Sequence, residues 1–147
     1  MNYSYQLDRV CGDGWLAIGD AARFIDPVFS SWVCVAMQGA RHTAERVRAA
    51  LDSDDCSRAS FLPYEEWLQA GSAIWDDFIR LFYRLLPSFT EVVESPEHRP
   101  AVLRLIQGDV DADTDVHVLE EMRSLVRSVE EADEHAFKDD LIEFPPR

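Results

Sequence analysis

The fold is decided by one stretch of sequence, GWLAIGDAARFIDPVFSS, which covers residues 14 to 31. It begins with a short apolar run, Trp15 to Ile18, that is typical of a buried strand. Gly19 then ends the run, and because it has no side chain, a ligand can approach the backbone there. The carboxylate of Asp20 follows and can accept hydrogen bonds from hydroxyl groups. The first half of the stretch therefore predicts a strand whose end opens onto a site for a polyol.

The second half of the stretch predicts the start of a helix. Asp26-Pro27 favours an extended or turn conformation, because the residue before a proline avoids the helical region. Ser30 or Ser31 can then cap the helix that follows. Free N–H groups and the positive end of the helix dipole would face whatever the loop holds. The residues alone leave an alternative open, which is a strand, a loop and a capped helix without a ligand.

Helices dominate the chain after this stretch. Apolar residues recur at three- and four-residue steps and predict an amphipathic helix from about Ser31 to Leu51. Its apolar positions are Val33, Ala36, Met37, Ala40, Ala44, Val47 and Leu51. A second helix, with Pro63 in its first turn, carries large apolar residues from Tyr64 to Leu85, a stripe that is more often core than cofactor pocket. Another apolar stripe, from Val118 to Val129, predicts the last long helix.

Shorter elements complete the predicted fold. The alternation from Tyr3 to Val10 and the run from Trp15 to Ile18 predict a strand pair around the turn Gly12-Asp13-Gly14. Ser88-Phe89-Thr90-Glu91 has the form of a capping box, and Gly108 is placed to end a helix that starts at Pro100. The fold is therefore predicted to be mainly α, with a short β-hairpin or strand pair at the N-terminus.

Composition argues against several classes of function. The 147 residues include 14 Lys and Arg against 28 Asp and Glu, a net charge of -14, which disfavours binding to nucleic acid or anionic lipid. Cys11, Cys34 and Cys56 are odd in number and lack C-x-x-C spacing, which indicates reduced thiols in a cytoplasmic protein. The four histidines share no metal-binding spacing. No apolar run approaches the ~20 residues of a membrane span.

Gly19-Asp20-Ala21-Ala22, then Phe24, then Asp26-Pro27-Val28-Phe29-Ser30-Ser31 resemble the second flavin-binding motif of the FAD-dependent halogenases. The likeness is strongest to the phenol and pyrrole halogenases and extends to related flavin monooxygenases and geranylgeranyl reductases. It implies that Asp20 contacts the ribityl or pyrophosphate region of FAD while Gly19 lets the cofactor pass close. It also implies that Pro27 and the backbone of residues 28–31 lie along the isoalloxazine. The implied FAD-binding residues are Gly19, Asp20, Asp26, Pro27, Val28, Ser30 and Ser31.

The resemblance to the halogenases also implies a halide site, which is formed in that family by backbone N–H groups of a Ser/Thr-Gly pair. The corresponding pair in this chain is Ser31-Trp32, so Trp32 departs from the expected glycine. If the backbone at residue 32 has a positive φ or passes close under the flavin, the indole obstructs the halide pocket. If the helix begins at Ser31, Trp32 has ordinary helical geometry and packs outward. The sequence leaves both geometries open.

Weaker similarity continues to Met122-Arg123, so the resemblance covers most of the chain. The nucleotide-binding G-x-G-x-x-G is not found after a strand, and the family's catalytic lysine and W-x-W-x-I-P signature are also missing. Lys138 is the only lysine, and no residue is assigned as catalytic. The resemblance thus implies a C-terminal fragment of an α/β FAD-binding, flavin monooxygenase-like fold. Residues 1–51 would be the last piece of the FAD-binding domain, and residues 52–147 a helical C-terminal domain.

The implied function is that of the C-terminal portion of a flavin-dependent halogenase or monooxygenase, an oxidoreductase acting on an electron-rich aromatic or carrier-bound small molecule. Implied partners are an N-terminal flavin domain and a flavin reductase. Without that domain we expect weak or absent FAD binding and no activity. A truncated gene, a split gene product and a produced fragment all remain possible.

Two alternatives come from other classes of protein. One is a noncatalytic helical interaction module. The other is a calcium-binding helix-loop-helix around residues 109–120, in which Asp109, Asp111, Asp113, Asp115 and Glu120 have EF-hand spacing. Thr114, however, occupies the position where the sharp turn requires glycine.

Overall fold

Five helices and four very short strands form the described part of the chain in the computed structural model, which covers residues 5–24, 27–86, 88–110, 114 and 116–131. The strands are β1 Tyr5–Gln6, β2 Cys11–Gly12, β3 Trp15–Leu16 and β4 Arg23–Phe24. The helices are α1 Trp32–Asp52, α2 Arg58–Arg84, α3 Phe89–Glu94, α4 Arg99–Ile106 and α5 His117–Glu131. Single turns of 3-10 helix lie at Gly19–Ala21 and Pro27–Phe29. The predicted mainly α fold with N-terminal strand pairing is confirmed.

The strands form two antiparallel pairs, and each strand is only two residues long. β2 and β3 make a hairpin at the predicted turn, with Cys11 opposite Leu16, but β2 lies just after the predicted strand Tyr3 to Val10, and β1 within that range pairs with β4 instead. Helix α2 covers the hairpin on the side of Cys11, which is fully buried. Trp15 and Ile18 are exposed on the other side, so the expectation that residues 15 to 18 form a fully buried strand was wrong. A two-stranded ladder covered on one side leaves its other side in solvent.

The main core lies among α2, α3, α4 and α5. Its centre is built from large side chains of α2 and from the apolar stripe of α5, which both follow the predicted spacing. The most enclosed of these residues are Trp75, Phe78, Leu81, Val118, Leu119, Met122 and Val126. Phe29 reaches this core from the 3-10 turn and stacks on Phe78, with ring centroids 5.1 Å apart. The stretch after β4 is thereby anchored to the helical core.

Helix α1 has nearly the predicted bounds but does not bury its apolar stripe. Its packed face consists of small or polar residues, among them Gly39, Thr43 and Ala50. These residues face α2, where a Cβ placed on Gly39 would lie at an ordinary contact distance of 3.9 Å from the Tyr64 hydroxyl oxygen. An amphipathic helix ordinarily turns its apolar side to the core. In α1 that side faces solvent instead.

The helix ends show which predicted caps form. Helix α2 begins at Arg58, so Pro63 lies inside the helix and not in its first turn as predicted. The Asp13 carboxylate accepts the Arg58 N–H at 2.8 Å, which caps α2 from the hairpin turn. Ser88 is the N-cap residue of α3, but its side chain makes no capping hydrogen bond there. Gly108, with φ of 73°, ends α4 as predicted.

A buried carboxylate joins the N-terminal strands to α2. Glu65 accepts hydrogen bonds from the Val10 N–H at 2.9 Å and from Arg58 at 2.6 Å. Burial raises the pKa of the Glu65 carboxyl, but the Val10 N–H and the Arg58 guanidinium, with help from Cys11, outweigh burial and hold the pKa below its usual 4.5.

The division of the chain into residues 1–51 and 52–147 stays a prediction, since α2 packs against elements of both parts. None of the helices in the described ranges has the length and apolar character that crossing a membrane requires.

Candidate functional site

The backbone at Gly19 is open and left-handed. Its φ is 56°, and a Cβ placed on it would have no neighbour within 4 Å. The preceding segment is held by the Tyr64 hydroxyl, which donates to the Ala17 carbonyl at 3.1 Å. Burial raises the pKa of Tyr64 to about 12, so this hydroxyl stays a donor at neutral pH. A positive φ favours glycine, and the absence of neighbours leaves room for a ligand against the main chain.

Asp20 lies next to this opening, and its side chain is exposed. Its main-chain carbonyl accepts a hydrogen bond from the Tyr5 hydroxyl of β1. The backbone is therefore held while the carboxylate projects into solvent. An exposed carboxylate beside an open glycine can accept hydrogen bonds from the hydroxyls of a polyol.

The loop from Pro27 to Ser31 is strained at Ser30. Ser30 has φ of 54°, although the left-handed region costs a residue with a side chain about 1 kcal/mol or more. Its N–H bonds to the Pro27 carbonyl at 3.0 Å, which closes the 3-10 turn. Val28 and Phe29 pack on the helical core, whereas Pro27 and Ser30 are exposed. Strained backbone is often found at functional sites, and the positive φ of Ser30, a residue already implied in FAD binding, is a feature that sequence reasoning did not predict.

The side chain of Ser31 is directed toward α4, and the backbone of Trp32 is helical. The Ser31 hydroxyl is buried and donates to the Ile106 carbonyl of α4, and it makes no cap bond to α1. Trp32 is the first residue of α1, so its backbone is helical and the positive φ falls at Ser30 instead. The geometry with a left-handed Trp32 is therefore wrong. Asp26 and the side chain of Trp32 lie outside the described part of the chain.

The loop after α4 supports the start of α1. A Cβ on Gly108 would lie 2.8 Å from the Val35 side chain and 3.3 Å from the Ser31 Cβ. Asp109 accepts hydrogen bonds from Gln38 at 3.5 Å and from Arg104 at 3.0 Å. Glycine at 108 thus serves both the helix end and a close contact with α1. Only the first role could be inferred from the sequence, because the contact joins residues more than 70 positions apart.

The calcium-binding alternative rests mostly on residues outside the described ranges. Asp111, Asp113 and Asp115 are in this group. Of the other two carboxylates, Asp109 bonds to Gln38 and Arg104, and Glu120 forms an ion pair with Arg123. Within the described ranges, no three potential ligands are grouped as a metal site.

A cleft between α1, α2 and the loop after α4 was not predicted. It is narrow and partly open to solvent, and its walls are mainly apolar. Arg23 of β4 enters it and forms an ion pair with Asp76 at 2.7 Å. Other residues that line the cleft are Gln38, Trp67, Leu68, Trp75 and Val110. The cleft is assembled from four separate segments, so no local sequence signal could have indicated it.

Known proteins resemble the chain over most of its length. It is 43% identical over 134 residues to a 1H-pyrrole-2-carbonyl-(peptidyl-carrier protein) chlorinase of Pseudomonas fluorescens, covering 91% of the chain and 30% of the chlorinase. It is 37% identical over 107 residues to the corresponding brominase of Pseudoalteromonas luteoviolacea, covering 73% of the chain and 26% of that protein. No protein-family model matches the chain.

The structure agrees with these sequence relatives. A solved flavin-dependent brominase superposes with a TM-score of 0.72 and 32% identity over 86% of this chain and 32% of its own. The chain thus spans about a third of the length of the proteins that it matches. The resemblance to the flavin-dependent halogenases is confirmed for that part.

Proposed function

We propose that this chain, a relative of the flavin-dependent halogenases, is the C-terminal portion of such an enzyme and acts on an electron-rich aromatic ring, with a carrier-bound pyrrole as the first candidate. Support comes from the named relatives, a chlorinase and a brominase of pyrrole carbonyl groups on a peptidyl-carrier protein. The observation that carries the proposal is the open backbone at Gly19 beside the exposed Asp20, because it lies within the motif that resembles a flavin-binding motif.

The described residues fit a flavin in part. Gly19 leaves space at the main chain, and Asp20 offers acceptors to ribityl hydroxyls. Pro27 and Ser30 are exposed on the same loop and could lie along the ring system. The Ser31 side chain does not fit a direct role, because its hydroxyl is directed to Ile106. We therefore assign the contact at Ser31 and Trp32 to backbone N–H groups alone.

The role of this chain in the reaction would be to position the cofactor and not to transfer a proton. A bound flavin supplies the oxidising chemistry of halogenation. Asp20 would hold the polyol arm, while the first N–H groups of α1 would face the ring edge or a halide with the positive end of the helix dipole. The helical core would hold that helix in place through Phe29 and Gly108. The catalytic groups would then come from the part of the enzyme that this chain does not span, with reduced flavin supplied by a reductase.

Complementation with a relative tests the proposal. The segment of the Pseudomonas chlorinase that aligns with this chain would be replaced by the chain, and the chimera purified with a flavin reductase present. We expect a yellow protein with FAD bound near one per molecule and chlorination of pyrrole-2-carbonyl on its carrier protein. The chain alone should be colourless, since it lacks the segment that anchors the nucleotide half. A folded chimera that binds no FAD would contradict the proposal.

Asp20 and Trp32 sharpen this test. In the chimera, Asp20→Ala should weaken FAD binding by about tenfold, the loss of roughly one charge-assisted hydrogen bond. Asp8→Ala, at an exposed aspartate that precedes the motif, is the control. Trp32→Gly should leave FAD affinity and chlorination within about twofold, because Trp32 is already in helical geometry. Recovery of activity only with glycine would mean that the indole blocks the halide pocket.

A further inference from the structure

A continuous apolar face on α1 is exposed in the part of the chain that the structure describes. It consists of the seven predicted apolar positions Val33, Ala36, Met37, Ala40, Ala44, Val47 and Leu51, all of which are exposed. Val33 is 70% exposed, and Met37 and Leu51 are each 68% exposed. Single exposed apolar residues are common on soluble proteins, but an aligned row along a whole helix marks an interaction site. We call this row the α1 apolar face.

The two edges of the α1 apolar face differ in the residues that flank it. Along one side run Arg41, Arg48 and Asp52, and the last two form an exposed ion pair at 3.8 Å. Along the other side run Gly39, Thr43 and Ala50, which are buried toward the rest of the chain. The apolar face therefore has a charged rim on one side and continues into the packed interior on the other. An apolar centre with a charged rim is typical of a helix that packs against a second structural part, and not of a helix on a free surface.

The α1 apolar face also begins next to the candidate flavin site. The helix begins directly after the motif, and the 3-10 turn at Gly19–Ala21 packs against it. Ile18, just before that turn, is 44% exposed and apolar. Whatever covers α1 from Val33 onward would therefore also reach the segment proposed to contact the cofactor.

We propose that the occupant of the α1 apolar face is the flavin-binding part of the enzyme, which the relatives carry in the length that this chain does not span. This inference rests on the proposed function. This chain covers only 30% of the length of the chlorinase, so that relative contains a large further part. A second copy of this chain fits less well, since each copy carries a net charge of -14 and the two would repel each other.

Binding by separate parts tests the inference. The part of the Pseudomonas chlorinase that precedes the aligned segment would be co-expressed with the tagged full 147-residue chain. Capture of that part would be compared for the wild type, Met37→Asp, Leu51→Asp and the control Leu103→Asp. Leu103 is also an exposed helical leucine, 40% accessible, but it lies on α4. We expect a one-to-one complex with the wild type and Leu103→Asp, and at least tenfold weaker capture for the two α1 variants.

The outcomes separate the inference from the proposed function. Equal capture of all four proteins would overturn the α1 docking surface and leave the proposed function intact. Selective loss with the α1 variants, in a wild-type complex that holds FAD but halogenates no pyrrole, would support the surface and contradict the function. A wild-type chain that captures nothing, or that forms a dimer which Met37→Asp breaks, would overturn the inference. Circular dichroism must show the variants folded, as expected for exposed positions.

Discussion

Helices α1 and α2 pack against each other, yet they use their apolar residues in opposite ways. Helix α2 turns Tyr64, Trp75 and Phe78 inward, and each of these is at most 1% exposed. Helix α1 turns small residues inward and leaves Met37 and Leu51 in solvent. The two helices have similar apolar spacing, so the difference comes from what surrounds them. Among the described residues, most of the large apolar side chains of α2 are buried, while most of those of α1 are exposed.

This difference separates the structural from the functional part of the molecule. The segment with the flavin-type motif lies on the incompletely covered side, where Gly19, Asp20 and Ser30 are accessible. The helical core stabilises that segment through the contact of Phe29 with Phe78 and through Gly108, which lies close to Ser31. Substitutions in the two regions should therefore differ strongly in their effect on the stability of the chain.

The largest expected loss of stability comes from the core end of α2. Leu85 is fully buried among α2, α3, α4 and α5. Leu85→Ala should lower the free energy of unfolding by about 3 kcal/mol, because it removes buried methyl groups and leaves a cavity. Urea denaturation followed by circular dichroism measures this change. A loss below about 1 kcal/mol, well under the usual range for buried leucine, would show that the helical core is less tightly packed than described.

A smaller loss is expected at the joint between strands and α2. Glu65→Gln should cost about 2 kcal/mol at pH 7, because it removes the charge from hydrogen bonds to Val10 and Arg58. Since the folded-state pKa of Glu65 is below 4.5, its stabilisation is complete above that pH and is lost as the pH falls through the folded pKa. The difference between wild type and Glu65→Gln should therefore shrink below pH 4.5. Urea titrations from pH 3 to 7 test this, and a constant difference would contradict the role of the charge.

Two glycines should respond to alanine in opposite directions. Gly108→Ala should cost about 1–2 kcal/mol, because residue 108 has a positive φ and its Cβ would clash with Val35. Gly39→Ala should be neutral or stabilising by up to about 1 kcal/mol, because it lies inside α1 with ordinary space around it. Thermal unfolding of both variants measures the contrast. Equal changes in stability for the two variants would mean that the loop after α4 does not contact α1 closely.

The sequence predicted the elements better than their surroundings. The periodicity of α1, α2 and α5 and the glycine after α4 are local signals, and each appears close to its predicted place. The direction in which α1 faces depends on its packing against α2, which no pattern within α1 contains. The candidate site followed the same rule. The motif was visible as a run of residues, whereas the strain at Ser30 and the bond from Ser31 to Ile106 depend on packing between distant segments.

The smallest loss of stability is expected for Leu51, the exposed counterpart of the buried Leu85. Leu51 lies at the end of the α1 apolar face and is 68% exposed. Leu51→Ala should change the free energy of unfolding of the chain by less than about 0.5 kcal/mol, because the side chain gains little from burial and alanine has a slightly higher helix propensity. The same urea titration used for Leu85→Ala measures it, so the two leucines form a matched pair. A loss above about 1 kcal/mol would mean that Leu51 is covered within the chain or by a second copy. Repeating the titration at a tenfold lower protein concentration separates these two cases, since only coverage by a second copy depends on concentration.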